Sequence, residues 1–223
     1  YSKDIQGVPD EALAFDIMSP EAEQLVALSP DAVFVSGMSL SVGTDPFKTL
    51  KDLGICVLYI PSSSSIDAIV EDTLFIGEAL GDREGAQALC DRLTGAVEAF
   101  RASTDVPVRV YFEIQPFPNL YSFGSGTFLN EMIELLGGEN IFADQQSWIA
   151  VSEESVVARN PEIIFTNVSW TEDAVGEILS RTGWESVDAV QNKAVYPIDA
   201  DASSQPNHRI VLALEEMARA LQK

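Results

Sequence analysis

Glu23-Gln-Leu-Val-Ala-Leu-Ser-Pro30-Asp31-Ala-Val33-Phe34 is matched, 131 residues further on, by Glu154-Ser-Val-Val-Ala-Arg-Asn-Pro161-Glu162-Ile-Ile164-Phe165. Both copies place a glutamate near the start of a short helix, a proline seven residues later, an acid, and then an apolar strand. Ser19 and Ser152 stand where N-caps belong, with acids after them, as the positive end of a helix dipole favours. The proline ends each helix because its ring removes a donor and clashes with the preceding turn. A helix–proline–strand unit occurring twice predicts two related α/β lobes. Each lobe then holds one glutamate, Glu23 or Glu154, at an equivalent exposed position.

Outward from the first copy, 32–36 and 55–60 read as strands separated by a helix near 46–53 that stops at Gly54. From about 65 to 103 the pattern is helical with a break around Gly81, and Leu89, Leu93, Val97 and Phe100 share one face of its second half. This stretch reads as a spine joining the lobes. The expected boundaries are 1–78 for a partial first lobe, 79–104 for the linking helix and 105–223 for the second lobe. Around the second copy, 106–114, 163–166 and 194–198 read as strands, Thr127 caps a helix stopped by Gly137-Gly138, and a last helix runs from 207 to about 221. Alternating strands and helices imply mainly parallel sheets with right-handed crossovers. Ligands meet such sheets beyond the carboxyl ends of the strands. Those ends carry Gly37-Met38-Ser39, Pro61-Ser62, a Pro/Phe-rich loop at 116–121, and the segments 167–170 and 199–208.

With 223 residues and 46% hydrophobic content, the chain can bury a sizeable core and is globular. No apolar run reaches the roughly 20 residues that span a bilayer, and Tyr1-Ser-Lys-Asp reads as the start of a mature or truncated product. Acids outnumber bases 35 to 13, a formal charge of −22. Such a surface repels phosphate backbones and anionic lipid, which argues against nucleic-acid and membrane-surface roles. Cys56 in an apolar strand and Cys90 in an amphipathic helix read as buried free thiols, with one disulfide between them as the alternative.

Catalytic patterns are missing. The single histidine, His208, cannot form an imidazole cluster, and two cysteines cannot supply a structural zinc site. No nucleophile elbow, Walker loop or dinucleotide fingerprint occurs. Asp199-Ala-Asp201-Ala-Ser203 opens like a calcium loop but lacks the glycine and closing glutamate, and Asn167-Val-Ser169 is a chance glycosylation sequon.

Three further stretches carry a resemblance: Thr127-Phe-Leu-Asn-Glu-Met-Ile-Glu-Leu-Leu-Gly-Gly-Glu-Asn-Ile-Phe-Ala-Asp144, Trp148-Ile-Ala-Val-Ser-Glu-Glu154 followed by Asn160-Pro161, and Arg209-Ile-Val-Leu-Ala-Leu-Glu-Glu-Met217. Together they resemble the substrate-binding proteins of ABC importers for iron–siderophore, haem and corrinoid (vitamin B12-like) complexes, across almost the whole chain. The resemblance implies an α/β fold of two Rossmann-like lobes with mainly parallel sheets, joined by one long helix, with the cargo between them. It also implies a first lobe incomplete at its N-terminus, because family members carry another strand–helix segment before the point where this chain starts. Expected partners are an ABC permease dimer with its ATPase and a metal-chelate ligand. The chain is then an extracytoplasmic monomer, periplasmic or lipid-anchored, with no enzymatic activity, no resident cofactor and no protein-held metal.

The same resemblance assigns Glu23 and Glu154 to permease docking, since both stand seven residues before the proline of their lobe, where the family's lobe-tip glutamates dock into arginine pockets. The plainer reading makes them first-turn helix acids worth a few tenths of a kcal/mol. Tyr121 and Trp148 align with aromatic cleft positions of corrinoid binders and Asp201 with a polar contact there; planar chelates suit such walls. Met18 resembles a methionine that ligates haem iron in one branch, whose second-lobe histidine would fall near Ser169-Trp170, where this chain has none. Met38, Ser62, Phe117, Phe123 and Trp170 are cleft candidates by position alone. A ligand sensor without transport, or an enzyme on the same scaffold, is the alternative function.

Overall fold

The computed structural model describes residues 15–16, 21–37, 45–101 and 107–221. The chain divides into two compact units, Tyr1–Ser62 and Ser63–Lys223.

In the first unit, α1 (Ala22–Ala27) leads to β1 (Ala32–Ser36), and α2 (Lys48–Asp52) to β2 (Cys56–Ile60). The strands pair in parallel, Val33 opposite Val57. Leu25, Val35, Phe47 and Leu50 form the core of this unit, and Gly54 ends α2 with φ +82°, a conformation without penalty only for glycine.

The second unit opens with α3 (Ile66–Leu80) and α4 (Arg83–Phe100), separated at Gly81, whose φ of +73° closes the first helix. Ser65 and Asp82 cap them by accepting from Ala68 N–H and Gly85 N–H. Then follow β3 (Val108–Glu113), β4 (Tyr121–Phe123), α5 (Phe128–Leu135), β5 (Gly138–Asn140), β6 (Trp148–Ala150), α6 (Glu153–Arg159), β7 (Ile163–Thr166), α7 (Ala174–Leu179), α8 (Asp188–Gln191), β8 (Val195–Pro197), α9 (Ala200–Ser203) and α10 (Ile210–Leu221). Four strands form one sheet in the order β5-β3-β7-β8, every pair parallel. The two-residue period of a strand explains how helices cover both faces. Val110, Phe112 and Phe165 point into the layer built by α3, α4, α5 and α10. Tyr111 and Ile164 point the other way, to Val156, Ile178, Trp184 and Val187. No helix among the described residues is long and apolar enough to cross a membrane.

The repeated sequence folds twice into one backbone motif. Glu23 and Glu154 are each the second residue of their helix, α1 or α6. Ser29 (φ +50°) and Asn160 (φ +46°) then take the left-handed conformation immediately before Pro30 and Pro161, and β1 or β7 follows. The caps differ from the sequence expectation. Ser152 does cap α6, accepting from Ser155 N–H, but α1 has Glu21 at its N-cap with no side-chain bond, and Ser19 lies outside the described residues. The thiols differ as well: both are free, yet Cys56 is exposed at the first position of β2 while Cys90 is buried on α4.

Asn160 is fixed by tertiary bonds, whereas exposed Ser29 carries mainly the conformational cost of roughly 1–2 kcal/mol for a left-handed non-glycine residue. The Asn160 side chain donates to the Asp188 carboxylate and accepts from Asp188 N–H, both at 2.9 Å. Ser29→Gly should therefore stabilise the protein by about 0.5–1 kcal/mol and Asn160→Ala should destabilise it by about 2 kcal/mol, read by urea unfolding.

Candidate functional site

Carboxyl ends of neighbouring parallel strands carry the candidate cargo residues of the second unit. The loop after β3 holds Phe117, the loop after β7 holds Trp170, and α9, directly after β8, holds Asp201. Phe117 is 54% exposed and Trp170 61%, large apolar surfaces that a folded chain leaves in water only where singly tolerated or where something covers them. Each loop is pinned at its base. Tyr121 N–H donates to Gln115 C=O, and Ile114 N–H to Tyr121 C=O, closing the Phe117 loop. Asn167, 4% exposed, donates through Nδ2 to Ser203 Oγ at 3.0 Å, so this sequon asparagine is committed to holding the β7 loop against α9. The acidic run at 199–203 forms α9 rather than an ion loop, with Asp199 capping it by accepting from Ala202 N–H.

A buried ion pair ties the turn after α7 to the end of β3. Glu113, the last residue of β3, accepts two hydrogen bonds from Arg181, at 2.9 and 3.1 Å, with the two side chains 1% and 4% exposed. Glu177 on the preceding turn takes Arg181 Nε at 3.0 Å and pairs with Nη2 as well. Burial opposes charge on both partners: it pushes the Glu113 carboxyl up, while Arg181 stays above its ordinary value because Glu177 and Glu113 outweigh its own desolvation. The two-pronged geometry is that of an ionised pair. The guanidinium also covers the Trp184 ring at 4.4 Å, and Trp184 Nε1 donates to Glu153, the residue beside Glu154.

Trp148 and Tyr121 belong to a short antiparallel ladder, β4 with β6, in which Phe123 faces Trp148 and Tyr121 faces Ala150. Cross-strand partners share a face, so the aromatic rings of the ladder line one side. Trp148 is 43% exposed and meets Phe123 edge-on at 5.8 Å and Phe128 at 6.3 Å. It borders a recess of about 540 Å³ shared with Phe142, Ser152, Ser155 and Arg159, so its free surface opens beside the helix that carries Glu154. Arg159 stacks over Phe142 at 4.8 Å and pairs with Asp144 at 2.9 Å.

Phe123 is fully buried in the core and supports Trp148 instead of facing a ligand. Tyr121 and Asp201 are half-buried, and Ser62 is exposed after β2 in the first unit. Among the described residues no ring contact joins Phe117 or Trp170 to the Trp148 group. Met18 and Met38 lie outside the described residues. The Glu113–Arg181 pair escaped the sequence reading; its only trace is an acid closing a strand after the run Val110-Tyr111-Phe112.

Both docking candidates are exposed. Glu154 is held below the ordinary glutamate range by its own backbone N–H at the start of α6 and by the Ser152 hydroxyl. It keeps its charge into mild acid.

Against known proteins, the model of the family described as periplasmic binding protein matches residues 11–202. An uncharacterised ABC transporter substrate-binding lipoprotein of Bacillus subtilis, YvrC, is 31% identical over 92% of this chain and 66% of its own length. A cobalamin-binding protein of Halobacterium salinarum is 30% identical over 89% of this chain and 55% of its own. The chain thus spans between about half and two thirds of the length of these curated relatives. The crystal structure of a possible iron-binding (periplasmic solute-binding) protein from Staphylococcus epidermidis superposes with a TM-score of 0.80 at 29% identity, covering 94% of this chain and 83% of that one.

Removing one side of the buried ion pair strands the other charge in the interior. Arg181→Met should destabilise the protein by about 3–5 kcal/mol, and adding Glu113→Leu should recover most of that loss, read as paired shifts in a denaturant midpoint.

Proposed function

We propose, from the premise that the chain belongs to the periplasmic binding protein family, that it is the extracytoplasmic solute-binding component of an ABC importer, periplasmic or lipid-anchored. It captures a metal chelate and delivers it to a permease dimer with its ATPase, without chemistry on the cargo. The observation that carries this reading is the repeated turn: two units of one chain each present an exposed glutamate as the second residue of the helix preceding a left-handed residue and a proline. Helix-start carboxylates are favoured as anions, and a pair of them suits arginine pockets on a two-fold permease, where charge complementarity speeds encounter and fixes register. The strapping of α6 supports the same role, because Glu153 takes the Trp184 indole N–H while Glu154 is left to solvent.

For the cargo, a corrinoid is the first reading. A broad planar macrocycle suits exposed aromatic surface, which Trp148, Trp170 and Phe117 supply, and a cobalamin-binding relative stands at 30% identity. An iron chelate is the second, favoured by the Staphylococcus epidermidis protein.

With the full-length protein and its transporter in liposomes, Glu23→Arg with Glu154→Arg should abolish stimulation of the ATPase while cargo affinity stays within a few-fold. Each single replacement should weaken docking about tenfold, or 1.4 kcal/mol. Unchanged stimulation by the double variant would reject the docking role. Titration with aquacobalamin, a ferric siderophore and haemin, followed by tryptophan quenching, separates the cargo readings. Trp148→Ala and Trp170→Ala should each weaken the bound chelate about tenfold or more through lost apolar contact, and two variants with wild-type affinity would remove the aromatic wall.

A further inference from the structure

On the sheet face opposite α6, the middle of α4 and the start of α10 enclose a recess of about 200 Å³ lined by Leu89, Arg92, His208, Arg209, Val211 and Leu212. Its charge is unlike that of the molecule around it. Acids outnumber bases 35 to 13, and Arg101, Arg109, Arg159, Arg181 and Arg219 each sit against a carboxylate. Arg92 and Arg209 have no such partner among the described residues, yet both border the same hollow. Arg83, unpaired as well, stands more than two turns earlier on α4. Arg92 is exposed and Arg209 half-buried, and two guanidiniums that border one hollow without an ion-pair partner leave it positive charge for a bound anion to neutralise. Burial first, and then Arg92 and Arg209, push His208 below its ordinary range, so its imidazole is neutral beside them.

The remainder of the lining is apolar. Leu89 and Val211 are half-buried, and Leu212 leaves 45% of its surface in water. The volume holds roughly seven waters' worth of liquid, below the 300–1,000 Å³ typical of drug-sized ligands, and far too small for a chelate cargo.

We propose that this recess binds a small organic carboxylate with a short apolar tail, its carboxylate shared by Arg92 and Arg209 and its tail lying on Leu89, Val211 and Leu212. None of the cargo candidates Phe117, Tyr121, Trp148, Trp170 and Asp201 lines it, and the proposal is independent of the transport reading. Arginine's planar fork suits the carboxylate, and the leucines distinguish the ligand from a bare inorganic anion.

His208 is the only histidine of these 223 residues, and the imidazole signal missing from His208→Gln identifies its ring in the NMR spectrum of the full-length protein. Titrating the full-length protein with hexanoate should shift that signal saturably. Bound hexanoate should also raise the titration midpoint of His208, because its negative charge offsets the two guanidiniums. Hexanol, which lacks the charge, and inorganic phosphate, which lacks the tail, should bind at least tenfold more weakly. Arg92→Gln and Arg209→Gln should each weaken hexanoate at least tenfold at unchanged melting temperature, and Leu212→Ala, a change at an exposed position, should weaken it by a smaller factor. Absence of a saturable shift, equal affinity for phosphate and hexanoate, or wild-type affinity in Arg92→Gln would each overturn the assignment.

Discussion

One left-handed residue followed by a proline sets the geometry on which the rest depends. Without it α6 would run on or the chain would enter β7 out of register, and a one-residue slip sends every side chain of a strand to the opposite face. Here that slip would exchange Ile164 and Phe165 between the two core layers and mismatch the packing of both. Asn160 carries the turn in the second unit and is tied on three sides. Its main-chain carbonyl accepts from Arg109 Nε, its side-chain amide donates to the Asp188 carboxylate and its side-chain carbonyl accepts from Asp188 N–H, each at 2.9 Å. α6, β3 and α8 therefore meet at a single residue, and the place of Glu154 follows from that junction. Ser29 makes the same backbone turn in the first unit with its side chain exposed.

A second constraint operates at the carboxyl ends of the strands. Arg181 joins the end of β3 to the turn after α7, and through Trp184 and Glu153 the same cluster reaches the first turn of α6. The β7 loop that carries Trp170 is thus held at Asn167 by α9, and α7, the helix it leads into, is anchored to β3 through Arg181. Exposed rings on fixed loops lose little freedom when they meet a partner, which is the usual advantage of a preorganised binding surface.

What the residues disclosed in advance is local in origin. Strand 163–166, the Thr127 cap, the Gly81 break and the repeat itself rest on neighbours a few positions apart, where proline, glycine and capping oxygens act directly. The β4–β6 ladder escaped notice because its two strands, three residues each, lie far apart in sequence and their pairing is decided by packing. Phe123 was misplaced for the same reason: an aromatic beside an exposed loop reads like a ligand contact until Phe112 and Trp148 are seen to enclose it. Cys56 was placed inside by its apolar neighbours, but the first residue of a short strand has its flank uncovered. Arg181 could not be foreseen, since Glu113 is 68 positions away.

The three tryptophans end up in sharply different surroundings. Trp184 is 1% exposed under a guanidinium, whereas Trp148 and Trp170 are 43% and 61% exposed. The chain thereby contains its own optical reference: a sealed indole emitting at short wavelength, insensitive to aqueous quenchers, alongside two wet ones emitting further to the red. A colourless contact quencher that settles on the aromatic surface dims the red component alone, so the colour of the remaining light tells where it landed.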